Sequence, residues 1–276
     1  MTDTSQHALW NGPAGEAWVD AQRLLDQMFA PLADHLLAAI PPGDDLRVLD
    51  VGCGTGAVAL GMAGRLGPEA HVTGVDISAP MIALARVRAQ RAGLAVEFIV
   101  ADAQQHAFAR GSLDRIVSRF GVMFFDDPAQ AFGQLQRAAR RGGVLQALAW
   151  RGADENAFMS TAERAAAPWL TLPPRQPGAP GQFAFADQAR VEQILGDGGW
   201  EDIELLPLDV VCRIDRADLA TYVSLLGPVG SALRNNDLAA DVRTKVLEEV
   251  LHAFEPFVDG DSVTFTAACW DVRARA

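Results

Sequence analysis

Val48-Leu49-Asp50-Val51-Gly52-Cys53-Gly54-Thr55-Gly56 is the stretch on which the fold of this chain turns. A short apolar strand, Arg47 to Val51, runs into closely spaced glycines, and a helix-forming segment, Ala57 to Leu66, follows. Glycines permit the positive φ angles of a tight turn and let a ligand approach the backbone with no Cβ in the way. Alone the stretch is ambiguous, because Gly52-x-Gly54-x-x-Ala57 also fits a dinucleotide-binding turn. Working outward, the same alternation repeats. His71 to Asp76 reads as a second strand, Ala79 to Ala92 as a second helix, Val96 to Val100 and Leu113 to Val117 as further strands. Pro128 to Arg140 reads as a helix and Gly143 to Trp150 as a fifth strand. Short apolar strands alternating with helices predict a mostly parallel sheet covered on both faces, an α/β fold.

Ahead of this core, residues 13 to 40 read as helical, with a break at Pro31 and a stop at Pro41-Pro42-Gly43. After Trp150 a helix from about Asp154 to Ala167 meets five prolines between Pro168 and Pro180. A helix over Asp187 to Leu195 and strands over Ile203 to Val211 and Val263 to Trp270 follow, separated by mainly helical residues 216 to 256. The expected organisation is an N-terminal helical lid over 1–45, a Rossmann-like core over 46–151, and a segment over 152–276 that carries substrate specificity and the last two strands.

Composition narrows the function. Across 276 residues, 23 Lys plus Arg face 35 Asp plus Glu, a net charge of −12. A chain this acidic has no basic excess to displace counterions from a phosphate backbone, so no nucleic-acid partner is expected. Lys245 is the single lysine, which leaves no Gly-Lys-Ser/Thr phosphate loop. Cys53, Cys212 and Cys269 form neither a disulfide framework nor a CxxC pattern, and five scattered histidines give no metal pair. With no signal-peptide pattern at Met1-Thr2-Asp3-Thr4-Ser5 and no spanning segment, the expectation is a soluble, cytoplasmic protein.

Three carboxylates then lift the ambiguity of the glycine turn. Asp50 stands before the first glycine, where a pyrophosphate would be repelled; Asp76 ends the second strand, placed to accept from ribose hydroxyls; Asp102 follows the third, placed to accept from an adenine amine. The set suits a cationic amino-acid nucleoside better than a diphosphate.

At these residues the chain resembles the class I S-adenosylmethionine-dependent methyltransferases, above all the branch of ubiquinone/menaquinone-biosynthesis-type enzymes and their small-molecule relatives. Beside the glycine stretch, the resemblance rests on Gly74-Val75-Asp76-Ile77-Ser78-Ala79-Pro80-Met81, Ala101-Asp102-Ala103, Leu113 to Phe124, and Arg140-Arg141-Gly142-Gly143. It implies a seven-stranded sheet with an antiparallel last strand and S-adenosylmethionine as cofactor. It also implies Asp50, Gly52 and Gly54 at the methionine moiety, Asp76 and Met81 at ribose and adenine, Asp102 and Ala103 at adenine, and Ser118 and Arg119 near the sulfonium. Cys53, Gly56 and Ile77 complete the expected cofactor-binding set, and Trp10 and Trp18 the expected lid.

Arg119, Phe120, Met123, Phe124, Trp150 and Phe183 are the candidate acceptor pocket, with Trp169 and Phe185 further aromatics in reach. No residue stands out as a catalytic base. His106 and Arg119 are weak candidates, and His106 reads more readily as a loop residue. Asp126-Asp127-Pro128 reads as a helix cap ahead of a base. The expected activity is in-line methyl transfer to a small hydrophobic or aromatic acceptor, and a homodimer is compatible with it. Two alternatives stay open, an NAD-dependent oxidoreductase and a non-methylating member acting as cyclase or binding module.

Overall fold

The computed structural model describes residues 6–41, 45–172, 174–176, 178–234 and 238–276. Residues 1–5, read for a leader, Pro42 and Gly43 of the expected helix stop, and Pro173 and Pro177 of the proline-rich stretch lie outside the described residues.

Helices α1 (Gln6–Asn11), α2 (Pro13–Asp20), α3 (Gln22–Met28) and α4 (Ala30–Ala38) come first. Apolar positions spaced by three and four keep Leu24, Leu25, Met28, Leu32, Leu36 and Leu37 on a buried side. The break expected at Pro31 falls there: α4 carries Pro31 in its first turn, where a missing N–H costs no helical hydrogen bond.

The core then alternates as β1 (Arg47–Val51), α5 (Ala57–Ala63), β2 (His71–Asp76), α6 (Ala79–Ala92), β3 (Glu97–Val100), β4 (Leu113–Arg119), α7 (Pro128–Ala138) and β5 (Ala139–Trp150). Helix starts follow local chemistry. Ser78 caps α6 and Asp127 caps α7, its Oδ1 accepting from the Gln130 N–H at 3.0 Å. The cap reading of the Asp126-Asp127-Pro128 segment thus holds for Asp127.

The remainder runs α8 (Ala157–Ala166), α9 (Gln188–Asp197), β6 (Glu201–Asp215), α10 (Leu219–Leu225), α11 (Gly227–Arg234), α12 (Ala240–Ala253), β7 (Val258–Asp259) and β8 (Ser262–Arg275). Strand order is β3-β2-β1-β4-β5-β8-β6, with the two-residue β7 paired on β8. The pairs β1–β2, β1–β4, β2–β3 and β4–β5 are parallel, whereas β8 runs antiparallel to both β5 and β6. This is the expected Rossmann-like sheet with an inserted antiparallel strand.

Boundaries differ most in β5, β6 and β8. The strand β5 starts at Ala139, so Ala139 and Arg140, expected to end the preceding helix, lie in the strand ahead of its expected start at Gly143. There β5 pairs with Ala276: the Gly142 N–H donates to the Ala276 carbonyl at 2.6 Å, and the Ala276 N–H donates to Gly143 O at 3.0 Å. β6 and β8 each outrun the expected spans, because they form one long ribbon from Glu201↔Arg275 to Asp215↔Ser262. Pro207 sits inside β6, which its place at the sheet edge allows.

The strand order reverses between β1 and β4, whose carboxyl ends open a crevice of the kind in which such sheets bind ligands. The N-terminal helices and the α10–α11 pair face that end. No described helix is long and apolar enough to cross a membrane.

Candidate functional site

The turn after β1 is built by backbone proximity. Gly52, Gly54 and Gly56 all have positive φ, at 65°, 54° and 88°. A Cβ on Gly52 would stand 2.5 Å from the Gly121 Cα, so the turn after β1 and the turn after β4 touch main chain to main chain. Ser118 locks the same junction. Its Oγ donates to the Val51 carbonyl at 2.7 Å and accepts from the Gly121 N–H at 3.1 Å.

Asp76 at the end of β2 organises the next loop. One carboxylate oxygen accepts from the Gly54 N–H and the other from the Ser78 N–H, both at 2.8 Å. Burial raises its pKa, against those N–H groups, which favour the charged form. A carboxylate has about four acceptor positions, so two remain for a ligand. Asp102, after β3, spends Oδ1 on the Gln104 N–H at 2.9 Å.

These loops open on a cavity of about 930 Å³. At the glycine end its wall is Gly52, Gly54, Asp76, Ile77, Met81, Asp102 and Ala103. Trp10 and Trp18 close it from above, edge to face at 5.8 Å, and Trp10 meets Phe124 in the same way at 5.1 Å. Asn11 fastens this lid: Nδ2 donates to the Ile77 carbonyl and Oδ1 accepts from the Ala79 N–H, each at 2.9 Å. The Ser78 hydroxyl donates to the Trp10 carbonyl at 2.6 Å.

Beyond the glycine end the wall turns aromatic. Phe120 and Trp150 stack at 4.2 Å, with Phe29 against both, and Met123 and Phe124 complete this side. Arg119 is partly buried and lines the cavity beside Phe29. Burial lowers its pKa, opposed by Asp26 and Asp50. The far end is formed by residues that no motif singles out, among them Met159 and Glu163 of α8, Tyr222 of α10, and Val229 and Arg234 of α11. Only the scarcity of tyrosine, one in the chain, marks Tyr222 in the sequence.

Several expected residues stand elsewhere. Asp50 is buried under the turn, its Oδ2 accepting from the Ala59 N–H at 3.0 Å, and it is not part of the cavity wall. Its carboxyl is pushed up to about 7, chiefly by burial, with the Arg119 cation and the Ala59 N–H opposing. Cys53, Gly56 and Ser118 also lie behind the wall: they shape the turn, and the side chains of Cys53 and Ser118 are buried. Phe183 packs beneath the Arg175 guanidinium, 4.8 Å from its ring centroid, and leaves the wall to its neighbour Gln182. His106 rests on Phe108 at 4.6 Å, outside the cavity; Trp169 is exposed, and Phe185 belongs to the core.

The donor set fits an adenosyl amino acid. Gly54 presents open backbone where a Cβ would fill the space toward the Met81 sulfur, 3.7 Å away. Met81, Ile77 and Ala103 supply apolar faces for a base, and Asp76 and Asp102 supply acceptors for hydroxyls and an amine.

Comparison with known proteins agrees with this geometry. Residues 48–143 match a family model described as a methyltransferase domain. A demethylmenaquinone methyltransferase of Thermus thermophilus is 39% identical over 112 residues, 41% of this chain and 50% of that protein. The chain spans about half the length of the curated relatives it matches. Among solved structures, the YcgJ protein of Bacillus subtilis superposes with a TM-score of 0.58 at 16% identity, covering 88% of this chain and 97% of that one. Phosphoethanolamine N-methyltransferase 2 of Haemonchus contortus, solved with S-adenosyl-L-methionine, gives 0.52 at 19% identity over 87% of this chain and 50% of that one.

Proposed function

We propose that this chain, whose residues 48–143 match a methyltransferase-domain model, is a class I S-adenosylmethionine-dependent methyltransferase that transfers a methyl group to a small hydrophobic or aromatic acceptor. One observation carries the reading: a single cavity of about 930 Å³ joins the glycine turn and the β2 and β3 carboxylates to an aromatic chamber. Single ligands occupy ~300–1,000 Å³. A cavity at the upper end of that range has room for a nucleoside cofactor and an acceptor side by side.

In this reading Gly52 and Gly54 present the backbone to the methionine moiety, Asp76 accepts from the ribose, Met81 and Ala103 flank the adenine, and Asp102 accepts from its amine. Bound S-adenosylmethionine supplies a methyl carbon made electrophilic by a sulfonium leaving group. The chain's own work is placement and dryness. Phe120, Trp150 and Met123 would hold the acceptor beside the bound methyl donor, in the placement that displacement requires. Trp10 and Trp18, fastened through Asn11, exclude water. An acceptor that arrives as an anion or a free amine needs no base from the cavity wall. Residues 1–45 act as lid, 46–151 as cofactor core, and 152–276 as the specificity segment with the last two strands.

The test is turnover of S-adenosylmethionine to S-adenosylhomocysteine across a panel of phenols, hydroxyquinones and aromatic amines, read by mass spectrometry of the acceptors. A mass gain of one methyl on any of them is expected. Binding of S-adenosylmethionine with no release of S-adenosylhomocysteine on any acceptor, or acceptor rearrangement without that release, would favour the non-methylating alternative.

A further inference from the structure

We propose that Arg119 is the carboxylate anchor of the cavity, a guanidinium held in waiting for an anionic oxygen that arrives with a ligand. The proposal rests on the methyl-transfer reading and adds what that reading leaves unassigned, a partner for the cavity's partly buried cation.

Among the described residues Arg119 makes one hydrogen bond, a long one from Nη1 to the Phe29 carbonyl at 3.4 Å, and pairs with no carboxylate. The Phe29 ring lies 5.6 Å from its Cζ. A cation–π contact of this kind is worth far less than removing a guanidinium from water costs.

The acids around it are otherwise engaged. From α3, Asp26 takes Arg88 of α6 and also the Gln22 amide on the same oxygen, Oδ2. From β1, Asp50 accepts from Ala59, and burial favours its neutral form. The remaining neighbour, Cys212 of β6, is a buried thiol pushed up to about 12. Arg234, the second guanidinium on the cavity wall, gives Nη1 to the Ser224 and Leu225 carbonyls, and its Nε is buried without a partner. Five donors in a planar fork, one of them weakly used, therefore face space that a ligand fills.

The complementary group is a planar two-oxygen anion, and it has two sources. One is the carboxylate of the cofactor's methionine; the other is an acid group on an aromatic acceptor lying against Phe29, Phe120 and Trp150. Calorimetry on the full chain and its Arg119→Met and Arg119→Lys variants separates them. The probes are S-adenosylhomocysteine, 5′-methylthioadenosine (which lacks the amino-acid end), and, in the S-adenosylhomocysteine complex, 2-naphthoate beside its uncharged analogue 2-acetylnaphthalene.

A loss of tenfold or more for S-adenosylhomocysteine in Arg119→Met, with 5′-methylthioadenosine unchanged, supports the anchor with the cofactor as its source. An equal loss confined to 2-naphthoate supports it with the acceptor as source. Affinities for all four probes within about twofold of the parent would overturn the proposal, as would equal losses for the two nucleosides. Removing an unpaired, partly buried charge leaves the free Arg119→Met chain as heat-stable as the parent, or more so. Should it fail to fold, Arg119→Lys, which keeps the charge and loses the fork, carries the same comparisons. If the parent chain binds neither nucleoside, the methyl-transfer reading falls, and the anchor is then judged by 2-naphthoate against 2-acetylnaphthalene on the free protein.

Discussion

The two ends of the cavity are built on opposite principles. At the glycine end, position is set by main chain: Gly52 against Gly121, Gly54 and Ser78 N–H groups on Asp76, and Asn11 bridging to Ile77 and Ala79. At the far end, position is set by side-chain volume, with Met159, Leu172, Leu226 and Val229 lining a chamber that has few directed polar contacts. A cofactor shared by many enzymes needs invariant hydrogen-bond geometry, whereas an acceptor chamber gains selectivity from shape. The contrast makes the first end intolerant of small changes and the second tolerant of them.

Gly52→Ala puts this contrast under the heaviest load. The new Cβ meets backbone at 2.5 Å in a positive-φ position, and neither strand end can give way. We expect a loss of several kcal/mol, on the order of the largest single-site effects, read as failure to fold or a Tm drop of more than about 10 °C. A melting temperature within a few degrees of the parent would show that the two turns are not interlocked.

Asp76→Ala comes next. It removes the acceptor for two buried N–H groups and the proposed ribose partner together. S-adenosylhomocysteine affinity should fall ~100-fold, in the range of a lost charge-assisted pair. Asn11→Ala should cost about 1 kcal/mol, or five- to tenfold in the same affinity, by loosening the lid while leaving the core's Tm nearly unchanged. Equal affinity in calorimetry would mean that α1 does not act as a lid.

Asp50 offers a pH test of the glycine end. Its carboxyl stands at about 7 in the fold against an ordinary value of 3.8. The folded chain therefore holds a proton that the unfolded chain gives up, and Asp50 costs stability progressively as pH rises from about 4 through about 7. Above 7 the cost is constant. The difference in Tm between the parent and Asp50→Asn should accordingly shift against the parent between pH 4.5 and 7.5. A difference independent of pH would contradict the buried, raised carboxyl.

The smallest effect belongs to the far end. Tyr222→Phe should leave S-adenosylhomocysteine affinity within twofold while changing the order of preference among acceptors. A tenfold loss of cofactor affinity would erase the distinction between the ends.

That distinction also explains what could be read in advance. Glycines at forced φ and acids at successive strand ends are local signals, so the turn after β1, the sheet order and most of the cavity wall at the glycine end were legible. What a position near the motif does not reveal is which side of the turn its side chain takes. Asp50, Cys53 and Ser118 lie in the quoted motifs yet point into the structure, since each satisfies or fills the junction between β1, β4 and α5. The far end was illegible for a different reason. Met159 of α8 meets Tyr222 and Val229 of α10 and α11, dozens of residues further along the chain, and apolar residues at helical spacing look the same whether they face a core or a cavity. Phe183 shows the converse: an aromatic in a suggestive loop that packs under an arginine. Strand ends were blurred where pairing came from afar, as in the long β6–β8 ribbon and in β5, whose first residues are held by the C-terminus.

The most direct measurement of the central claim is calorimetric titration of the full chain with S-adenosylhomocysteine and, separately, with NADH. The account predicts one S-adenosylhomocysteine bound per chain, lost in Asp76→Ala, and no heat from NADH. Saturable NADH binding with none of S-adenosylhomocysteine would contradict it and return the glycine turn to the dinucleotide reading.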